Sequence, residues 1–285
     1  MKRPLEIKKQ VDTMDTLVTL TSAFEGIASA HLARIRSEVL QSNAFFEDLW
    51  QVYSKIRVDK IFHFGRKSGS KSNIDKELYI LITAEGGFSG DVDIRMIRMM
   101  IETYDPKKHD IICIGRHGVA QLEQRGIKCK KFYPLPASDL HINVEPLVRD
   151  IQDYENAEIF YPKYITLSNQ EITKVKLAAV VQEMGSGVKI NDEIISEFNY
   201  IFEPNVRDVV TYMERSMLFI SISQFILDSK LAQYASRFRA MSVAHHTAFE
   251  SRNDYQVQYH RAIRGVQDER LKEIINSLRK IRARV

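Results

Sequence analysis

The two ends of this chain of 285 residues contain almost none of the residues that break helices. Residues 5–60 include a single glycine, Gly26, and no proline. Beyond Pro204 there is again a single glycine, Gly265, and no proline. Because glycine and proline are the main helix breakers, each end can form one very long helix, and the loops are confined to about residues 60–204.

Both ends also carry the periodicity of a coiled coil. Alternate steps of three and four residues from Ile7 to Ile56 meet fifteen positions, of which twelve are apolar. The same stepping from Met213 to Val266 again meets mostly apolar residues, as in a coiled-coil seam. Helices of about 50 and 75 residues would be roughly 75 and 110 Å long, too long for a domain of this size. The sequence therefore predicts one antiparallel coiled coil that projects from the rest of the chain.

The N-terminal segment has a second apolar track outside this seam, formed by Leu17, Leu20, Phe24 and Ile27. A two-stranded coil does not need an additional apolar face. This track is the first indication of a partner that covers the outside of the coil.

The middle of the chain alternates short apolar runs with helical patterns. Apolar runs that predict strands begin at residue 75, where a glycine turn follows, and at 109, 158 and 175; helical patterns cover 93–104, 119–126 and 141–157. Such alternation predicts a small Rossmann-like α/β domain with a largely parallel sheet. The predicted fold class is α/β, with a coiled-coil helix at 1–58, the α/β domain at 59–204 and a second coiled-coil helix at 205–285.

A glycine-rich turn, "TAEGGFSGDVD" (residues 83–93), raises the question of nucleotide binding. A dinucleotide fingerprint is GxGxxG, whereas Gly86, Gly87 and Gly90 give GGxxG. Asp91 and Asp93 would repel a pyrophosphate, but they suit the first turn of a helix. A structural turn is the favoured interpretation. The stretch "GRKSGSKS" (65–72) departs from the phosphate-loop pattern and is interpreted as a solvated linker.

No other stretch predicts a catalytic, metal or cofactor site. The adjacent His245 and His246 would point about 100° apart on a helix and could not hold one metal together. Cys113 lies in an apolar strand, and with Cys129 it lacks CxxC spacing, which indicates a reduced protein. The net charge of +4 is too small to argue for nucleic acid. No signal sequence is expected at the N-terminus. Because the sequence contains no apolar run of about 18 residues, no membrane-spanning helix is expected either.

Several stretches match one known family in order and spacing. "LTSAFEGIASAHL" (20–32) and "TAEGGFSGDVD" (83–93) meet its N-terminal helix pattern and its glycine turn, "GRHG" (115–118) echoes a second turn, and "YIFEP" (200–204) precedes the last helix. In that helix, "DSKLAQYASRFRAMSVA" (228–244) matches at Ser229, Ala235, Arg237, Ala240, Met241 and Ala244. Over nearly the whole chain, the sequence resembles the gamma subunit of the rotary F-type ATP synthase, its central stalk.

The resemblance implies a non-catalytic rotor shaft without a cofactor or metal, peripheral on the cytoplasmic face of a bacterial-type cell membrane. Its implied partners are the alpha and beta subunits of the catalytic hexamer, an epsilon-type stalk subunit and the membrane c-ring, but not nucleic acid. The implied partner-binding residues are Met14, Leu20, Phe24, Ile27, Arg237, Met241, Arg264 and Glu273. The cysteine insertion of the chloroplast members is absent, so the resemblance implies no thiol switch.

Departures from the family keep other functions open. Phe24, Glu25 and His31 replace a methionine and two lysines of the family pattern, and Ile263 stands at the place of an arginine, with Arg264 beside it. One alternative is the shaft of a specialised ATPase that is not coupled to ion transport. The other is an unrelated coiled-coil scaffold or a basic nucleic-acid binder, for which the basic tail at 270–284 is the motivating feature.

Overall fold

The computed structural model of the chain describes residues 4–56, 74, 76–136, 142–177, 179, 201, 203 and 205–282, without the side chains of 38–43 and 281. The predicted linker at 65–72 and most of the "YIFEP" stretch lie outside the described residues. So do residues 58, 59 and 204, at which the predicted domain boundaries fall.

Between two very long terminal helices, strands alternate with short helices as far as β4, and β5 follows β4 directly. In chain order the elements are α1 (Pro4–Lys55), β1 (Glu77–Ile82), α2 (Val92–Thr103), β2 (His109–Ile114), α3 (Arg116–Glu123), β3 (Lys131–Tyr133), α4 (Glu145–Ile151), β4 (Ala157–Tyr164), β5 (Gln170–Lys176) and α5 (Val206–Arg282). The terminal helices contain 52 and 77 residues, which confirms the prediction made from the distribution of glycine and proline.

Contacts within the chain divide it into two compact units. The first, the two-helix unit, contains Met1–Ile27 and Phe238–Val285. The second, the α/β unit, contains Ala28–Arg237 and therefore the whole sheet. Both α1 and α5 contribute to each unit.

The two-helix unit is an antiparallel pair with the predicted seam. From Ile7 to Glu25, each seam position is buried or half-buried, and Gln10 is the only other residue of this range that is not exposed. Arg252 of α5 pairs with Asp15 of α1 at 3.5 Å. The 3.5-residue periodicity of a coiled coil therefore determines which side of α1 faces α5.

The α/β unit is built on one five-stranded sheet with the order β3-β2-β1-β4-β5. The first four strands are parallel, and β5 pairs antiparallel with β4 at the edge. One apolar cluster joins one sheet face to α1, α4 and α5, and a second joins the other face to α2 and α3. In β1, Leu78, Ile80 and Ile82 enter the first cluster, whereas Tyr79 and Leu81 enter the second. Helices on both faces explain why this strand is apolar from Leu78 to Ile82.

The structure differs from the sequence-based prediction at two strands. The stretch at 175–182 was expected to form a strand, but β5 spans Gln170–Lys176 and Leu177 is already helical; residues 178 and 180–182 lie outside the described residues. The short strand β3 was not predicted. Its three residues are too few to show an apolar pattern. The edge strand β5 mixes apolar residues with charged ones, as edge strands often do, and therefore lacks the apolar run that marks a buried strand.

Candidate partner-binding surface

The second apolar track of α1 is exposed in the two-helix unit. Leu20 and Ile27 are 49% and 51% exposed, and Leu17 and Phe24 are 40% and 38% exposed. The seam on the same helix accounts for its packing against α5. Four large apolar side chains along one exposed strip of helix form a surface suited to another protein.

A second exposed apolar surface lies at the end of α5. Every described side chain from Val266 to Arg282 is exposed. Among them, four apolar residues recur at helical spacing and form one stripe, which we name the terminal stripe: Leu271 (59%), Ile274 (59%), Ile275 (41%) and Leu278 (60%). The antiparallel pairing of Arg252 with Asp15 places the start of α1 near residue 263 of α5, so this last part of α5 extends past α1.

The sequence interpretation missed the terminal stripe because the same residues were considered only as a basic tail. The i, i+3, i+4, i+7 spacing from Leu271 to Leu278 was the available signal. Glu273, one of the predicted partner-binding residues, is exposed within this segment, and Arg264 is exposed just before it.

Two predicted partner-binding residues lie on the seam instead of the outer surface. Met14 is half-buried on the seam face of α1, and Met241 is 7% exposed on α5. Ala248 and Arg252 continue the seam of α5, where the Arg252 guanidinium also lies 4.5 Å above the Phe249 ring. Both methionines therefore pack within the coil, and their predicted contact with a partner stays a prediction.

Arg237 holds the glycine-rich turn within the α/β unit. Its guanidinium donates to the Gly87 carbonyl at 3.3 Å and lies 5.2 Å from the centre of the Tyr234 ring. The neighbouring Ser236 hydroxyl donates to the Ser89 carbonyl at 2.7 Å. The sequence did not predict this intramolecular contact, because it joins residues 150 positions apart in the chain; the predicted contact of Arg237 with a partner stays a prediction.

The same contacts explain the glycine-rich turn without a nucleotide. Ligands of doubly wound sheets bind outside the carboxyl ends of the parallel strands. Here α5 occupies the carboxyl end of β1, where the Ser229 hydroxyl donates to the Ile82 carbonyl at 3.3 Å. Gly90 adopts a φ of +67°, and a Cβ there would lie 3.1 Å from the Ser236 hydroxyl oxygen. The turn therefore serves the close packing of α5 against the sheet.

The carboxylate of Asp93 is buried beneath this turn. It is 1% exposed, accepts from the Ala84 amide at 3.2 Å and lies 2.6 Å from Nδ1 of His117. The hydrogen bond with Asp93 raises the pKa of His117, and burial opposes this only in part. A buried carboxylate at the start of α2 disfavours a phosphate there, which supports the structural interpretation of the turn.

Within the part of the chain that the structure describes, no three His, Cys, Asp or Glu side chains are grouped so as to hold a metal ion. His245 and His246 do not act together, since His245 stacks against Phe249 and His246 pairs with Glu250 at 3.2 Å. Over the same described ranges, no helix is long and apolar enough to cross a membrane.

Comparison with known sequences matches this chain to one family. The family model described as ATP synthase matches residues 4–279. An ATP synthase gamma chain of Mesoplasma florum is 22% identical over 284 residues, covering 95% of both chains. One of Staphylococcus epidermidis is 23% identical over 297 residues, covering 95% of this chain and 96% of the relative.

Solved structures share the fold along most of the chain. A chain of the Euglena gracilis mitochondrial ATP synthase, from an assembly of OSCP, F1 and c-ring, gives a TM-score of 0.64 at 15% identity and covers 98% of this chain and 95% of its own length. A chain of the central stalk and c-ring of the Tetrahymena thermophila enzyme gives 0.56 at 16% identity, covering 79% of this chain and 99% of its own. At these identities the comparisons establish the shared fold.

Proposed function

Since this chain belongs to the family of ATP synthase gamma chains, the central-stalk subunits of F-type ATP synthases, we propose that it is a rotor shaft that couples rotation to ATP synthesis or hydrolysis. The surrounding hexamer of alpha and beta subunits would carry the catalytic sites. The shaft itself would bind no nucleotide and catalyse no reaction.

The exposed apolar surfaces of the two-helix unit carry this proposal. The outer track of α1 and the terminal stripe of α5 are both apolar and both exposed. Full burial of an exposed large aliphatic side chain contributes about 1.5–3 kcal/mol before the cost of association, and the side chains of these two surfaces, which are 38–60% exposed, would gain part of that energy. A hexamer that encloses this unit would gain that energy along two surfaces that the described part of the chain leaves exposed.

Coupling requires contacts that differ between the states of each catalytic site. A shaft can shift an equilibrium between open and closed sites only by its difference in contact energy with the two. The two surfaces lie on different helices, and α5 extends past α1, so the unit presents different residues to different sides. On rotation, each catalytic subunit would meet the outer track, the terminal stripe and Arg264 in turn.

The α/β unit would provide the attachment of the shaft to its other partners. We propose that it binds an epsilon-type stalk subunit and the membrane c-ring, which would place the protein peripherally on the cytoplasmic face of the membrane. The Euglena and Tetrahymena assemblies that contain the similar chains also include a c-ring, which supports this part of the proposal.

The departures from the family pattern at Phe24 and Glu25 motivate a second candidate function. Phe24 and Glu25 stand where the family pattern has methionine and lysine, and Phe24 is part of the exposed outer track. A shaft with an altered contact surface could belong to an ATPase that drives something other than ion transport. Such a complex would contain the alpha and beta subunits without a membrane ring.

Isolation of the native complex tests both functions. The chain would be purified gently from its own cells through an affinity tag, and the accompanying subunits would be identified by mass spectrometry alongside an assay of Mg-dependent ATP hydrolysis. Recovery with two related nucleotide-binding subunits, activity and a membrane ring supports the coupled shaft. Recovery of the hexamer without the ring supports the specialised ATPase, and recovery of neither contradicts both.

A further inference from the structure

The terminal stripe of α5 has basic residues along both of its sides. Successive residues of a helix lie about 100° apart, so the residues just before and just after a stripe position lie on opposite sides of the stripe. Arg270 precedes Leu271 on one side, whereas Lys272 and Arg279 follow Leu271 and Leu278 on the other. These three basic residues are exposed, and we name them the flanking cations. This end of the helix therefore combines an apolar stripe with a basic border on each side.

The charge of this helix end is strongly unbalanced. From Arg270 to Arg282 the sequence contains five lysines and arginines and one carboxylate, that of Glu273. Every side chain that the structure describes in this range is exposed. A surplus of exposed positive charge attracts an anionic partner, and the stripe beside it then adds apolar contact to the attraction.

Such a helix has the properties of one that lies on a membrane surface. There the apolar face enters the boundary between headgroups and acyl chains, and lysines and arginines bind anionic headgroups. The flanking cations suit this arrangement, since their aliphatic stems can pack beside the stripe while their charged ends reach the phosphates. The four apolar residues of the stripe would lie along the surface, because a helix that spans a bilayer needs about 20.

We propose that the terminal stripe and the flanking cations bind the surface of an anionic lipid bilayer when no protein encloses this end of α5. A protein groove would need carboxylates along both of its edges to match the flanking cations, whereas an anionic bilayer presents phosphates on every side of the helix. Because α5 extends past α1 here, the described part of α1 leaves the stripe open to a flat surface. The proposal concerns the unassembled chain, needs no hexamer and goes beyond the shaft function.

The experiment is flotation of the purified full chain with lipid vesicles. We expect the chain to float with phosphatidylcholine vesicles that contain about one third phosphatidylglycerol, and at least about tenfold less of it to float with pure phosphatidylcholine. Salt at about 1 M should release most of the bound chain, because the Debye length is then only about 3 Å. Equal binding to both kinds of vesicle overturns the proposal. Binding to neither also overturns it, and the stripe then belongs to a protein partner alone.

Two aspartate variants separate the stripe from the charge. Leu271→Asp and Asn276→Asp add the same negative charge to the same helix end, but Asn276 lies on the face opposite the stripe. We expect Leu271→Asp to bind anionic vesicles at least about tenfold more weakly than Asn276→Asp, because only the first loses apolar contact. Both positions are exposed, so both variants should fold, which circular dichroism checks. Equal binding by the two variants contradicts the role of the stripe.

The flanking cations have a test that leaves the stripe unchanged. Arg270→Gln combined with Arg279→Gln should bind anionic vesicles at least about tenfold more weakly than the parent chain, because each basic residue near such a surface contributes roughly fivefold. The control is Arg98→Gln combined with Arg125→Gln, which removes the same charge from exposed positions of the α/β unit. Equal loss of binding in the two double variants would show that only net charge matters and would contradict a role for this helix end.

Discussion

The Gly118 amide donates to the Thr83 hydroxyl at 3.0 Å, across the space between the end of β1 and the start of α3. The Thr83 hydroxyl in turn donates to the Ile114 carbonyl at 2.8 Å. Gly115, at the turn between β2 and α3, has a φ of +95° and lies against the Thr83 carbonyl. The "GRHG" stretch thus has a physical explanation: both glycines allow α3 to begin directly against β1.

We expect Gly118→Ala to destabilise the α/β unit by about 1–3 kcal/mol, the usual cost of overpacking a buried site. A Cβ at this position would lie 2.5 Å from the Thr83 side chain and 2.8 Å from the Cys113 sulfur. Urea unfolding of the purified chain measures the change. Gly86→Ala is the matched control, because a Cβ there meets nothing within 4 Å; equal midpoints for the two variants would contradict the packing argument.

The pair formed by buried Asp93 and half-buried His117 predicts a dependence of stability on pH. The pKa of His117 is raised in the folded chain, first through its hydrogen bond with Asp93. Its stabilising contribution is therefore complete below the unfolded value of about 6.5 and is lost as the pH rises through the raised folded value. We expect His117→Gln to lower the free energy of unfolding by about 1–3 kcal/mol at pH 6 and by less at pH 9.

His246→Gln is the control for this prediction. His246 also pairs with a carboxylate, that of Glu250 at 3.2 Å, but its side chain is 74% exposed. An exposed pair contributes little to stability, so this variant should unfold like the parent chain at both pH values. A His117→Gln effect that is independent of pH would contradict the assigned role of the charged imidazole.

Asp228 of α5 predicts a second fall of stability with rising pH, at lower pH values than that of His117. Burial raises the pKa of its carboxyl to about 6, and the charge of Lys163 opposes this only in part. Because the unfolded value is about 3.9, the stability of the folded chain falls as the pH rises between about 4 and 6. We expect Asp228→Asn to be about 1–3 kcal/mol more stable than the parent at pH 8 and equal to it near pH 4. Thermal unfolding across this pH range measures the difference in stability between Asp228→Asn and the parent, and Asp254→Asn, at an exposed position, is the control. A stability difference that is the same at all pH values would contradict the assigned role of the Asp228 carboxyl.

A charge introduced into the outer track of α1 should weaken coupling while the chain remains folded. Leu20 is 49% exposed, so Leu20→Asp should leave the helix content and thermal midpoint of the chain unchanged. In the assembled complex it would place a charge against an apolar surface, and we expect weaker assembly or less torque per ATP hydrolysed. Ser22→Asp adds the same charge on another exposed face. Equal effects of the two variants would contradict a specific role for the track.

Much of the architecture follows from the sequence because helix and coil periodicities are local. The seam from Ile7 onward and both long helices could be predicted without tertiary information. The short strand β3 and the edge strand β5 could not, since their residues do not form apolar runs. The distinction between Leu20 and Met14, one exposed and the other on the seam, also follows from periodicity once α5 is known to pack on one side.

The candidate surface was only partly predictable. The outer track was identified from its spacing. The hydrogen bond of Arg237 to the Gly87 carbonyl of its own chain was not foreseen, and binding of a partner by Arg237 stays a prediction. Such a contact depends on how α5 crosses the sheet, which sequence patterns do not specify. The terminal stripe was overlooked because charged neighbours surround Leu271 and Leu278 in the sequence.

Rotation of the shaft within its ring tests the central claim most directly. The catalytic hexamer would be fixed to a glass surface, and a bead would be attached to the α/β unit through a cysteine introduced at Lys107, which is exposed in a turn. With Mg-ATP we expect stepwise rotation in one direction that stops when ATP is removed. Hydrolysis of ATP by the fixed hexamer while the bead shows only random motion would contradict the shaft function.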